Sequence, residues 1–181
     1  MAPQLSPNQT LVLLHNGMGT LEQIQPLLPD NPIVAATTSY GALKTSEHEL
    51  VVTGHGRTQA GWVQGEHKTT GERVEALLNA LLPPCQWYAN VMEPLWRKLA
   101  VNAVINPLTA LHNVHNGALL NDEFTHHMEK ICDELAKVMH ANGIQVSPQE
   151  LQSQARDVAT ATAANSSSMR QDVLHKRKTE I

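Results

Sequence analysis

Lys98, Asn102 and Asn106 recur every four residues within "LWRKLAVNAVINPLTAL" (95–111), a stretch that is otherwise almost wholly apolar. On a helix each four-residue step turns about 400°, so the three drift only about 40° per step while climbing roughly 6 Å. Burying a carboxamide without partners costs roughly 1–3 kcal/mol, and an unpaired ammonium costs more. An amine and two carboxamides in one line therefore point to a hydrated cleft or to a bound polar ligand of a few carbons. The competing reading is a bundle helix whose solvent-facing edge carries the three side chains. Pro107 lies inside the same stretch and cannot donate to the carbonyl of Ala103, so a kink and a freed carbonyl are expected beside the polar line.

Other polar groups are weaker on their own. "HNGMG" follows the apolar run "TLVLL" (10–14), which puts Asn16 at the carboxyl end of a strand, where open α/β sheets bind ligands. Gly17 and Gly19 allow close backbone approach there. "NSSSM" (165–169) places Asn165 and Ser168 three apart on one helical face, or else marks a polar helix break. "HNVHN" reads as the loop after the stripe helix and makes Asn116 a candidate at a cleft mouth. Glu180 is a single carboxylate in a charged tail and carries almost no signal alone.

These residues need elements to hold them, and the sequence changes character near residue 90. Before it, "TLVLL" and "PIVAATT" (32–38) read as strands, the first lacking alternation as if covered on both faces of a parallel sheet. "PIVAATT" is expected to end at "SYGA", while "ELVVTG" (49–54) and "AGWVQG" (60–65) are read as two strands of an antiparallel excursion. "GERVEALLNALL" (71–82) has Val74, Leu77, Leu78 and Leu81 at helical spacing with Thr70 as cap, and "CQWYA" (85–89) reads as a last strand. After residue 90 the pattern is helical. Asn90, Glu93 and Pro94 form a start signal, and a second helix opens at Asn121, buries Met128, Ile131, Leu135 and Val138, and stops at Gly143. "SPQE" (147–150) is a capping box whose helix is expected to run on to "NSSSM".

Composition limits the function. The 181 residues carry a formal net charge of −4, which leaves no basic footprint for nucleic acid, and "HKRK" reads as a solvated helix end. The ten histidines join no carboxylate–histidine signature, so no metal site is expected, and Cys85 and Cys132 share no motif, which suits a reducing compartment. The sequence shows no signal peptide and no apolar run of membrane length, so a cytoplasmic protein is expected. G-x-G-x-x-G does not occur.

Taken together, "LLHNGMGTLEQIQPLL", "PLWRKLAVNAVINPLTA", "NSSSM" and the terminal "KTEI" resemble the ketopantoate reductases, the NADPH-dependent 2-dehydropantoate 2-reductases of pantothenate (vitamin B5) synthesis. The resemblance runs over essentially the whole sequence and is loosest between residues 40 and 90. It implies an α/β part followed by an all-α part: residues 1–89 as the C-terminal portion of a Rossmann-type NAD(P)-binding domain, and 90–181 as a helical substrate-binding domain of the 6-phosphogluconate dehydrogenase C-terminal type. It further implies Lys98 as catalytic lysine with Glu180 assisting it. Asn102, Asn106, Asn116, Asn165 and Ser168 become substrate-binding residues, and Asn16 and Ala42 contacts to NADPH.

Against that family pattern, about ninety residues of the first βαβαβ half, with its glycine fingerprint, have no counterpart at the front, and neither does a helical tail after Glu180. Residues 1–181 alone are therefore expected to bind NADPH poorly, and an in-frame glycine-rich fingerprint in the DNA just upstream would make Met1 a mistaken start or a boundary within a longer protein rather than a natural truncation. The implied partner is the small keto acid, and a homo-oligomer is possible on this pattern. Two rivals stand beside this reading: a related two-domain keto or hydroxy acid dehydrogenase, and a non-catalytic helical interaction module derived from a reductase.

Overall fold

A computed structural model describes residues 5–65 and 68–180 of the chain; Met1, and Ile181 at the end of "KTEI", lie outside them. The chain divides into two compact units, Met1–Leu95 and Trp96–Ile181.

The first unit contains β1 (Leu11–Leu13), α1 (Thr20–Ile24), β2 (Ile33–Thr38), β3 (Gly41–Lys44), β4 (Leu50–Gly54), β5 (Thr58–Gln64), α2 (Lys68–Leu81) and β6 (Cys85–Trp87). Four strands form one sheet in the order β1-β2-β5-β6, with β1 parallel to β2, β5 antiparallel to β2, and β6 parallel to β5. The register sets Val12 opposite Val34 and Ala36 opposite Ala60. Val34, Ala36 and Ala60 are buried with Leu78 of α2, and Trp62 and Trp87 pack edge to face against each other beside them. Gly61 is small of necessity, because a Cβ there would stand 2.3 Å from the Tyr88 carbonyl oxygen.

Three expectations for this unit need correction. The runs 49–54 and 60–65 do not pair with each other: β4 pairs with β3, formed from "GALK", and β5 joins the main sheet. Both runs carry acceptable strand patterns, and local sequence does not name a strand's partner. α2 begins at Lys68, so Thr70 lies inside it and is not its cap; of its leucines Leu78 is buried while Leu77 and Leu81 are exposed. β1, at the edge of the sheet beside β2, is half-buried rather than covered on both faces.

The helices that follow are α3 (Met92–His112), α4 (Asp122–Ala141), α5 (Pro148–Ala161) and α6 (Ser168–Leu174), with a 3-10 turn at Asn116–Leu120. The boundary between the units falls inside α3. At its start the Asn90 side chain accepts a bond from the Met92 N–H at 3.2 Å, as a cap does. The second unit's core joins Val104, Ile105 and Leu108 of α3 to Phe124, Met128, Cys132, Ala136 and Met139 of α4 and to Leu151, Ala155 and Ala159 of α5. Burying a side chain such as Met128 contributes roughly 1.5–3 kcal/mol.

The buried face of α4 differs from the expected one. Ile131 and Leu135 only flank the core and Val138 is exposed, while the smaller Cys132 and Ala136 let the helices approach. Gly143, at φ 78°, ends the helix as expected. The Gly143 N–H donates to the His140 carbonyl and the Ile144 N–H to that of Met139, the two bonds of a Schellman stop.

Ser147 caps α5 by accepting from the Glu150 N–H at 3.1 Å. The Glu150 carboxylate, expected to close the capping box, accepts from Arg97 and Gln154. α5 stops at Ala161 rather than continuing to "NSSSM". Beyond it the Asn116 and Gly117 N–H groups donate to the carbonyls of Asn165 and Ala163, each at 3.1 Å. A Cβ on Gly117 would lie 2.7 Å from that of Ala163.

Candidate active site

α3 carries the polar line. Its apolar residues Val104, Ile105 and Leu108 face the core. Lys98 and Asn102 are half-buried, and Asn106 is only 7% exposed. The line is therefore not the open edge of a bundle helix. Burial pushes the Lys98 amine below the ordinary lysine value of 10.5, and the charge of Glu180 opposes that shift. An amine held in this way keeps a proton that it can give up more readily than a solvated lysine.

Glu180 is exposed, and one of its carboxylate oxygens accepts from the Ser168 hydroxyl at 3.4 Å. Ser168 is the first residue of α6, whose cap is Ser167. The fold thus brings Lys98, Ser168 and Glu180 into one neighbourhood of the second unit. Asn165 is exposed, and its carbonyl accepts the Asn116 N–H. Asn116 is 7% exposed; its carboxamide donates to the Thr162 hydroxyl at 2.9 Å, and its Oδ1 is buried without a partner among the described residues.

Three residues of this region were not singled out from sequence. Thr109 and Ser167, both buried, approach to 2.7 Å through their hydroxyls. Arg170 donates to the Asn113 carboxamide at 3.0 Å and to the Ser166 hydroxyl at 2.9 Å. Thr109 follows Asn106 by three positions and so continues the same helical face, the one signal that pointed to it.

In the first unit, β1 leads into a turn where Gly17 and Gly19 adopt φ values of 86° and 95° and have open space where a Cβ would stand. A small, mainly apolar hollow is lined there by Leu13, Gly17, Met18, Gly19, Ala35 and Ala36, with other residues of the same unit. Asn16 is exposed in that turn. Ala42 is exposed on β3, opposite Val52 of β4. Among the described residues no cluster of histidine, cysteine or carboxylate side chains could hold a metal ion, and no helix is long and apolar enough to cross a membrane.

The profile described as "Ketopantoate reductase PanE/ApbA C terminal" matches residues 90–181, and "Ketopantoate reductase PanE/ApbA" matches residues 1–65. The 2-dehydropantoate 2-reductase of Vibrio cholerae is 42% identical over all of this chain and 61% of its own length. That of Escherichia coli O157:H7 is 36% identical over all of this chain and 58% of its own. The chain thus spans about three fifths of the relatives it matches. Among solved structures, a probable 2-dehydropantoate 2-reductase of Bacillus subtilis is 26% identical with a TM-score of 0.76, covering 98% of this chain and 59% of that one. A D-mandelate dehydrogenase with NADH shares the fold alone: TM-score 0.88, 20% identity, 97% of this chain and 58% of the other.

Proposed function

The chain belongs to the ketopantoate reductase family, and from that premise we propose that it contributes to the reduction of 2-dehydropantoate to (R)-pantoate with NADPH. The observation that carries the reading is Lys98: a half-buried amine, in line with Asn102 and Asn106, and subject to the charge of Glu180. On this reading residues 1–89 serve the cofactor and residues 90–181 the substrate, in the cytoplasm, and a homo-oligomer is compatible with it. A ketopantoate reductase from Staphylococcus aureus with a TM-score of 0.73 and 21% identity is described as dimeric.

The mainly apolar hollow beside Gly17 and Gly19 is where the nicotinamide end of the cofactor would lie, on a turn whose positive φ values favour glycine. Asn16 would meet that end of the cofactor, and the Ala42 backbone would supply a further cofactor contact. When bound, the cofactor supplies the hydride. Negative charge then grows on the substrate's carbonyl oxygen, where the Lys98 ammonium stabilises it and donates the proton. Asn102, Asn106 and Ser168 would orient the substrate's hydroxyl and carboxylate, since carboxamides donate and accept without adding charge. Asn116 and Asn165 would complete that set. Glu180 would hold Lys98 and take a substrate hydroxyl.

The test is NADPH oxidation dependent on 2-dehydropantoate, with calorimetric titration of the keto acid. Asn106→Ala should weaken keto acid binding, whereas Lys98→Ala should lower turnover by about a hundredfold or more with a smaller effect on KM. Binding and turnover that ignore both substitutions would refute the assignment.

A further inference from the structure

We propose that Thr109 is a positioning residue for this site: through Ser167 its hydroxyl anchors the start of α6 to α3, and so sets where Ser168 and Glu180 stand relative to Lys98. The inference rests on the reductase reading for the importance of those three side chains.

The hydroxyl of Thr109 is fully buried and that of Ser167 nearly so, and they lie 2.7 Å apart. Thr109 Oγ1 is also 2.8 Å from the Ile105 carbonyl and 3.1 Å from that of Asn106. Carbonyl oxygens only accept, so the single Thr109 proton goes to them. Ser167 must then donate to Thr109, and Ser167 in turn accepts from the Arg170 N–H at 3.1 Å. A one-way chain of donors results, running from the first turn of α6 through both hydroxyls into the α3 backbone.

α6 is seven residues long, too short to hold its own place, so its position is set by its contacts: the buried Met169 packs it, and hydrogen bonds tie its first turn. Arg170 also reaches the α3 end through Asn113, but that bond is exposed. Of these two hydrogen-bonded ties, the buried one runs through Thr109. Ser168 follows the anchored Ser167 directly and donates to Glu180. Thr109 itself lies three residues after Asn106, on the same face as the polar line. A lost hydroxyl at 109 would therefore be felt at Glu180 without removing any group that meets the substrate.

The test compares Thr109→Val, which keeps the shape, with Thr109→Ser, which keeps the hydroxyl, in the full chain. Two readouts are used: the titration midpoint of the Lys98 side chain by NMR, and the steady-state constants for 2-dehydropantoate and NADPH. Thr109→Val should lower the Lys98 midpoint, since Glu180 acts less on it, and should reduce kcat about tenfold or more while KM for NADPH stays the same. Thr109→Ser should restore both. An unmoved Lys98 midpoint overturns the inference, as does unchanged kcat in an active enzyme. A moved midpoint in a protein that neither reduces 2-dehydropantoate nor binds it in calorimetric titration supports the anchoring and rejects the reductase reading. If Thr109→Val does not fold, Ser167→Ala is judged by the same outcomes.

Discussion

Arg97 Nη1 lies 2.7 Å from Glu150 Oε1, whereas Lys98, the next residue of the same helix, is subject to the charge of Glu180. Neighbouring side chains on a helix diverge by about 100°, so two adjacent cations meet two different carboxylates. The first pair ties the start of α5 to α3 at the surface; the second belongs to the proposed site.

Because both partners of the Arg97–Glu150 pair are partly in water, at 29% and 45% exposed, the pair contributes little. Arg97→Gln should cost less than about 1 kcal/mol in urea unfolding and leave the Lys98 titration where it is. A loss of several kcal/mol would mean that the ion pair sets the packing of α5.

Lys98 has the opposite character, and its lowered value gives a sign to the pH dependence. Below the folded-state value Lys98 is charged in both states, and its burial costs stability. As pH rises from that value towards 10.5 the folded protein sheds its proton first, and the cost is relieved. Lys98→Met should therefore stabilise the protein at neutral pH, with an advantage that shrinks towards pH 10.5. On the proposed reading, turnover should fall along the alkaline limb with a midpoint below 10.5, and Glu180→Gln should move that limb to lower pH by removing the opposing charge. Melting curves and pH–rate profiles check both.

Much of this site was legible because helical periodicity is a local property. Four-residue spacing was enough to align Lys98, Asn102 and Asn106, and Ser147 starts α5 and Gly143 ends α4 by rules that act within one turn. What escaped depends on partners distant in sequence. Three serines in a row give no sign that Ser167 is the cap and the one that meets Thr109. On α4 the more hydrophobic stripe of Ile131, Leu135 and Val138 looked like the core, but close helix approach favoured Cys132 and Ala136. The partner of β4 was likewise unreadable, since "GALK" has little strand pattern of its own.

Gly143 and Gly117 should respond differently to alanine. A Cβ at Gly143 meets open space, so Gly143→Ala pays only for the left-handed backbone, about 1 kcal/mol. At Gly117 the new methyl would stand 2.7 Å from the Ala163 Cβ and 3.1 Å from its backbone, so atoms must shift and the loss should reach about 1–3 kcal/mol. Denaturant midpoints of the two variants check the order.

Cys132 is fully buried, and that burial, with Asp133 adding to it, pushes its thiol up to about 11. The reactive thiolate is therefore scarce at neutral pH. Iodoacetamide should leave Cys132 unmodified in the folded protein and alkylate it in urea, as read by mass spectrometry. Rapid labelling of the folded chain would contradict the packing of α4.

The two bonds from Asn116 and Gly117 to the carbonyls of Asn165 and Ala163 have a dynamic consequence. One end of that tie is a 3-10 turn, and the other lies just past the end of α5. Their amides should breathe together, exchanging with solvent in a single concerted opening rather than fraying one at a time.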